Sequence, residues 1–256
     1  MFALERQKRI LDLLSASGAV WVSKLAIELG VTEETVRRDL EKLEKQSALI
    51  RTHGGAVSAD ESTYELSLEE RKHTNIEAKQ KLAKIAAQYI VPGDTIFLDA
   101  STTTFYIARE IKNMRNVTVI TNSLRVIAEL DGAENVKVIA IGGILSHNQS
   151  FVGSFAETNV SHNYFASKMF FSSKGIVDNI GIMESNEQES GIKKKMLANS
   201  SKKYYICDRS KIGRIGFEKL CDFDIINYFI TDCEIGNGLK AKLDEFKVEI
   251  INVQEE

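Results

Sequence analysis

The sequence has few cysteines: Cys207, Cys221 and Cys233 are widely spaced, odd in number and form no CxxC pair. That pattern argues against a disulfide framework and against a zinc site. No metal and no cofactor is expected, and the compartment reads as a reducing cytoplasm. Long apolar runs are also missing. IINYFI at 225–230 is strand-length, far below the roughly 20 residues that a membrane span needs. The start, MFALERQKRI, is charged by residue 5, so no signal peptide is expected. An excess of basic charge is missing too, because 33 Lys+Arg stand against 36 Asp+Glu, for a net charge of −3. Bulk charge therefore leaves no footprint of nucleic acid, and any such contact must come from local placement. Residues 1–57 carry 9 basic against 8 acidic side chains and the rest carry 24 against 28, a weak asymmetry. There is no fixed-period repeat and no low-complexity segment. What is present is a 256-residue chain with 43% hydrophobic content, long enough for a small domain plus a medium one.

Leu4, Ile10, Leu11, Leu13 and Leu14 among charges predict an amphipathic helix over 4–16, stopped by Ser17-Gly18. AVWV then leads to Ser23, a suitable N-cap for a second helix through Leu29 that Gly30 ends. Thr32 is placed to cap a third helix, with Glu33 and Glu34 in its first turn, where the macrodipole favours acids. Two short helices joined by Gly-Val-Thr outline a helix-turn-helix, and SALIRTHGGAV reads as a β-hairpin wing. The polar stretch 59–74 has no apolar period and reads as a linker between a domain at 1–58 and one at 75–256.

Beyond it, helix-period segments alternate with apolar runs. A helix over 76–91 ends at Pro92-Gly93, then TIFLDA, TFYIAREIK, VTVITNS, LRVIAEL and VKVIAIGG alternate strand with helix. KMFFSSKG, KYYICD and IINYFITD are three further strands, with helices at 188–200 and 236–246 and a last strand VEIIN. Buried strands alternating with amphipathic helices predict a mostly parallel α/β sheet covered on both faces.

On the third helix, Val36, Leu40 and Leu43 share a face and form its buried stripe. Glu34, Arg38, Glu41 and Lys45 fall opposite, with Arg37 and Lys42 at the edges. Glu33–Arg37, Glu34–Arg38 and Glu41–Lys45 are i,i+4 pairs of the favourable order, worth about 0.2–0.5 kcal/mol each, so a merely solvated helix face is also consistent. Context favours a reading helix, because it is the second of a tight pair and is followed by Arg51 and His53 beside Gly54 and Gly55. In the second half, DASTTT sets Asp99 and four consecutive hydroxyls, Ser101, Thr102, Thr103 and Thr104, directly before a helix. Such a helix N-terminus is an anion cradle, and one Thr would suffice for capping alone. Asn122 and Ser123 close one strand and Gly142 and Gly143 another, where ligand loops of parallel sheets gather. Lys174, Glu189, Lys193, Asp208 and Lys211 add charge after or between later strands, although Glu189 and Lys193 could also be a plain surface pair.

The segment VTEETVRRDLEKLEKQSALIRTHGGAV resembles the winged helix-turn-helix of the DeoR family of bacterial transcription regulators. DASTTT, VITNS, IGG, EQESGIKKKM and DRSKIG stand in that family's order and spacing. The resemblance implies a C-terminal sensor domain similar in fold to ribose 5-phosphate isomerase and a repressor of a sugar-catabolism operon. Its DNA affinity would follow a phosphorylated sugar, and its partners would be double-stranded operator DNA and further copies of itself, as a dimer or tetramer. It implies DNA contacts from Val20, Ser23, Thr32, Glu34, Thr35, Arg37, Arg38, Asp39, Lys42, Arg51, His53, Gly54 and Gly55. Ser101 to Thr104 would hold the phosphate, and Asp99, Asn122, Ser123, Gly142, Gly143, Lys174, Glu189, Lys193, Asp208 and Lys211 would surround the sugar. Ser47, Ser101 and Ser172 replace glycines usual in the family. Two other classes remain open at this point. One is a sugar-phosphate isomerase using Asp99, Glu189, Asp208 and Lys211, although no motif places a dedicated base. The other is an N-terminal module used only for self-association, which would show no salt-dependent DNA binding.

Overall fold

In the first sixty residues, the apolar spacing and helix stops give three helices and a small sheet: α1 (Ala3–Ser17), β1 (Ala19–Trp21), α2 (Val22–Leu29), α3 (Glu33–Lys45), β2 (Leu49–Thr52) and β3 (Gly55–Ser58). The computed structural model describes residues 3–17, 19–45, 48–52, 55–58 and 68–253. The chain divides into two compact units, Met1–Glu65 and Leu66–Glu256.

In the first unit, Ile10 and Leu14 of α1 pack with Leu25 and Leu29 of α2 and with Val36, Leu40 and Leu43 of α3. Gly30 ends α2 in the left-handed conformation at φ 63°, which bends the chain into the turn before α3. Thr32 caps α3 as expected, its Oγ1 accepting from the Thr35 amide at 3.3 Å. Ser23 does not cap α2. The helix begins one residue earlier, Trp21 occupies the cap position without a side-chain bond, and Ser23 is an exposed residue of the first turn. The wing is a three-stranded antiparallel sheet in the order β1-β3-β2, because AVW adds a strand beside the hairpin.

The second unit begins in the stretch that reads as linker, where Leu68–His73 form a short helix, α4, with Leu68 buried. Then follow α5 (Ile76–Gln88), β4 (Thr95–Leu98), α6 (Thr102–Ile111), β5 (Val117–Thr121), α7 (Leu124–Leu130) and β6 (Val136–Ala140). The chain continues through the hairpin β7 (Ile144–Leu145) and β8 (Phe151–Val152), then α8 (Ser154–Asn163), β9 (Ala166–Phe171), β10 (Gly175–Val177), β11 (Gly181–Glu184) and α9 (Glu187–Ala198). It closes with β12 (Ser200–Cys207), β13 (Glu218–Cys221), β14 (Tyr228–Thr231), α10 (Asn237–Glu245) and β15 (Glu249–Asn252).

Seven strands form one parallel sheet in the order β15-β14-β12-β9-β4-β5-β6. Alternate residues of each strand face opposite layers, as the two-residue period requires. Ile96, Leu98, Phe170, Tyr204 and Ile230 pack with Leu82, Ile107 and Val126 of α5, α6 and α7. Phe97, Met169, Phe171, Tyr205 and Phe229 pack with Val160, Ile192, Met196 and Leu243 of α8, α9 and α10. Across β9, β12 and β14 the rings of Phe170, Tyr204 and Tyr228 stack at 4.6 and 4.3 Å, the kind of cross-strand contact that fixes register. From β4 the chain winds outward through β5 and β6, then returns to place β9, β12, β14 and β15 on the other side. The strand order therefore reverses between β4 and β9, and the strands' C-terminal ends there are where open α/β sheets form a ligand crevice. A separate antiparallel sheet, β10-β11-β13, and α8 were not foreseen from sequence.

Asp39 lies on the buried stripe of α3, 2% exposed. Arg6 of α1 donates to one of its oxygens, and Gln7 donates to the other at 3.0 Å. Removing one partner of a buried pair leaves the other charge in the core. Asp39→Ala is expected to destabilise the first unit by about 3 kcal/mol, read from urea unfolding of the full chain at Trp21, the single tryptophan. A loss below about 1 kcal/mol, the range of an exposed pair, would show that this contact does not anchor α1 to α3.

Candidate functional sites

On the first unit, Thr32, Glu34, Arg37, Arg38 and Lys42 are exposed on α3, with Thr35 partly covered and Arg51 exposed on β2. All three i,i+4 pairs form, with Arg37–Glu33 at 2.9 Å, Arg38–Glu34 at 3.3 Å and Lys45–Glu41 at 2.8 Å. The Arg38 side chain is 74% exposed and that of Arg37 55%. Arg51 is drawn to α3, its amide donating to Glu44 Oε1 at 3.0 Å, which fixes the wing against the helix. Three residues expected at the DNA face are turned inward. Val20 belongs to the core, and Asp39 holds α1. Gly55 is buried where β3 crosses β1, and a Cβ there would lie 1.8 Å from the Val20 carbonyl oxygen, so its closeness is to its own backbone. His53, Gly54 and Ser47 lie outside the described residues.

In the second unit the crevice at the strand reversal gathers most of the residues expected around an effector. Asp99 follows β4, 1% exposed. Its Oδ1 accepts from Thr104 Oγ1 at 2.8 Å and from the Ser101 amide at 3.2 Å. Its Oδ2 accepts from the Ser172 amide at 3.2 Å and pairs with Lys193 Nζ at 2.9 Å. Lys193, reaching in from α9, also donates to Glu184 and to the Ser172 carbonyl at 2.7 Å. Its three N–H groups thus have three acceptors. Asp99, Thr104 and Lys193 therefore saturate one another and shape the crevice rather than face a ligand. Burial opposes ionisation of Asp99, yet Lys193 and the hydrogen bonds from Ser101 and Thr104 hold its carboxyl below the usual range. Burial likewise opposes the charge of Lys193, and the Asp99 and Glu184 carboxylates overcome it and push the amine up.

Other groups expected at the site stand around this cluster. Ser101 caps α6 at an ordinary φ of −71°, so serine fits there without strain, and its Oγ accepts from the Thr104 amide at 3.2 Å. The Thr102 and Thr103 amides lie in the first turn, where no intrahelical acceptor exists. Thr103 Oγ1 and Asn122 Oδ1 are buried with no hydrogen-bond partner among the described residues, and Asn122 is held by its Nδ2 bond to the Phe151 carbonyl at 3.1 Å. Ser172 donates its hydroxyl to the Ile206 carbonyl at 2.6 Å and accepts from Lys211. Asp208 caps the short 3-10 turn after β12, 2% exposed and bonded to Ser210. Glu189 accepts from Ser150 and from Ser146 at 3.4 Å. Ser123 instead caps α7. Gly142 and Gly143 lie beside Phe155 and Val152 respectively, packed near the β7–β8 hairpin rather than among the charged groups. Lys174 is half-buried, its amide bonded to the Met183 carbonyl at 3.0 Å. Glu184, Lys79 and Ser150 were missed in the sequence. The signal for Glu184 was present in GIME, an apolar strand that ends on a carboxylate as TIFLD does.

Lys193→Met leaves two buried carboxylates without their shared cation and is expected to cost roughly 3–5 kcal/mol, measured by thermal unfolding of the second unit within the full chain. An undiminished stability would refute the organising role of this ammonium. Burial first, then the Glu184 and Asp99 charges, raise the Glu189 carboxyl, against Ser150 and Lys193. A carboxyl raised on folding contributes stability below its unfolded value of about 4.3 and loses it as pH rises through the folded value. Glu189→Gln is therefore expected to gain melting temperature relative to wild type as pH rises above that point. A difference that is flat with pH would contradict it.

The DeoR-like helix-turn-helix domain matches residues 6–62, and the DeoR C terminal sensor domain matches residues 74–233. The chain is 39% identical over 254 residues to the uncharacterized HTH-type transcriptional regulator YulB of Bacillus subtilis, covering 99% of this chain and 98% of that one. It is 38% identical over 252 residues to the lactose phosphotransferase system repressor of Streptococcus mutans, covering 97% of this chain and 98% of the other. Among solved structures it is similar to ribose 5-phosphate isomerase A from Methanocaldococcus jannaschii, with a TM-score of 0.40 and 16% identity over 55% of this chain and 56% of that one. Both named relatives are regulators of transcription, and each is matched along almost its whole length. The chain belongs to the DeoR family of transcriptional regulators.

Proposed function

We propose that this regulator represses an operon of sugar catabolism and that a phosphorylated sugar, bound in the strand-end crevice, sets its affinity for operator DNA. The observation that carries the reading is the pairing of the α6 N-terminus with buried, unpartnered Thr103 Oγ1 and Asn122 Oδ1. A phosphate suits the amides of the first turn, and sugar hydroxyls suit the orphaned oxygens, Glu189, Asp208 and Lys211. Thr32, Thr35, Arg37, Arg38 and Lys42 supply groups able to meet base edges and phosphates from α3, with Arg51 on the wing beside them. A dimer or tetramer in the cytoplasm would present paired heads to paired half-sites, which one small head needs for specific affinity.

Thermal-shift measurements with pentose and hexose phosphates test the effector arm. The active sugar phosphate is expected to stabilise the fold by about 2.7 kcal/mol at one hundred times its Kd, and a panel without any concentration-dependent shift would remove the effector from the proposal. Arg38→Ala tests the DNA arm on the protein's own promoter region. If Arg38 holds phosphate, the variant weakens binding on all sequences and lowers the salt slope by about 1. If Arg38 reads guanine, the loss is about 1–3 kcal/mol and confined to one base position. Unaltered affinity together with an unaltered slope would take Arg38 out of the interface.

A further inference from the structure

Residues 68–79 precede the first strand of the large unit, reach the strand-end residues at two points and are braced internally at a third. Arg71 Nη2 donates to Asn148 Oδ1 at 2.8 Å. Asn75 Nδ2 donates to Asp208 Oδ1 at 3.2 Å. Lys79, buried, donates from Nζ to the carbonyls of Arg71 and of Thr74, the latter at 2.7 Å, tying the end of α4 to the first turn of α5. Asn148 and Asp208, the two partners outside the segment, stand with the residues expected around the effector. Asn148 sits in the turn whose Ser146 and Ser150 hydroxyls hold Glu189. Asp208 is held by Ser210 and lies in the field of Lys211 and Lys79. The Lys79 amine is brought down to about 8 by burial and then by Lys211, so it stands among cations that a bound anion would relieve.

A six-residue helix has no stability of its own. The placement of α4 therefore comes from tertiary contacts, among them these anchors, buried Leu68 and packing against α6. A ligand engaging Asp208, Lys211 and Glu189 competes for the polar atoms that hold the anchors. In chain order, α4 is also the first described element after the segment that follows the reading head. We propose that residues 68–79 form the transmission element of this regulator, anchored through Asn148, Asp208 and Lys79 in one state and released in the other. The proposal rests on the effector reading above, with the released state the one of low DNA affinity.

The test uses the full chain and promoter DNA, with no sugar phosphate present. Asn148→Ala removes the acceptor that ties Arg71 Nη2 to the 146–150 turn. Asn75→Gly removes the other anchor while keeping the left-handed backbone at φ 53°. By fluorescence anisotropy the double variant is expected to bind DNA at least about fivefold more weakly than wild type, the lower end of ordinary allosteric coupling. Lys81→Ala, on the exposed side of α5, is the control and is expected to leave binding unchanged. A double variant that binds as tightly as wild type overturns the proposal. If the double variant does not melt cooperatively, Asn148→Ala alone decides with the same two outcomes. Failure of the effector reading shows separately, as a wild-type melting temperature that no pentose or hexose phosphate moves, and the variant comparison still decides on the segment.

Discussion

One ammonium group organises the large unit. Lys193 comes from a helix on one face of the sheet and meets Asp99 after β4, Glu184 at the end of β11 and the backbone after β9. These positions are far apart in sequence and lie on both sides of the strand reversal. Desolvating three charges is expensive, and an apolar replacement of such a cluster is often as stable. What the cluster supplies is placement. Asp99, fixed by Lys193, in turn fixes the Ser101 amide, the Thr104 hydroxyl and the Ser172 amide, so the start of α6 points into the crevice in one defined way.

The smaller unit repeats the device at lower charge. Asp39 takes Arg6 and Gln7 of α1 against the back of α3, and the opposite face of that helix is then free to carry the exposed residues. In both units a buried carboxylate orients a helix whose other end or face is turned outward.

Strands buried on both faces announce themselves, because TIFL, VTVIT and MFF carry only apolar residues and β-branched threonines, with no charge. The helix α8 does not, since SFAETNVSHN buries only Ala156 and Val160 and has no apolar stripe to read. GIV, GIME and EKLC are too short for their alternation to stand out. The hydroxyl loop, where Ser101 caps α6, was legible as a helix start. Which of its neighbours would turn inward was not, because pairing among Asp99, Thr104 and Lys193 is decided by tertiary approach. Asp39 was the avoidable miss. It stands three residues after Val36 and four before Leu43, inside the helical stripe that was otherwise read as core.

Glu33 and Glu34 hold the two arginines of the proposed reading face in internal pairs. Any phosphate that engages Arg37 or Arg38 must first displace a carboxylate already there, and that carboxylate then stands near the DNA's own negative charge. The penalty is the same on every sequence, whereas a well-fitted guanine returns two directed hydrogen bonds for it. Acids beside the arginines thus lower the head's grip on arbitrary and matched DNA by the same factor, and in a chain with no basic surplus the discrimination between them is left to the base contacts.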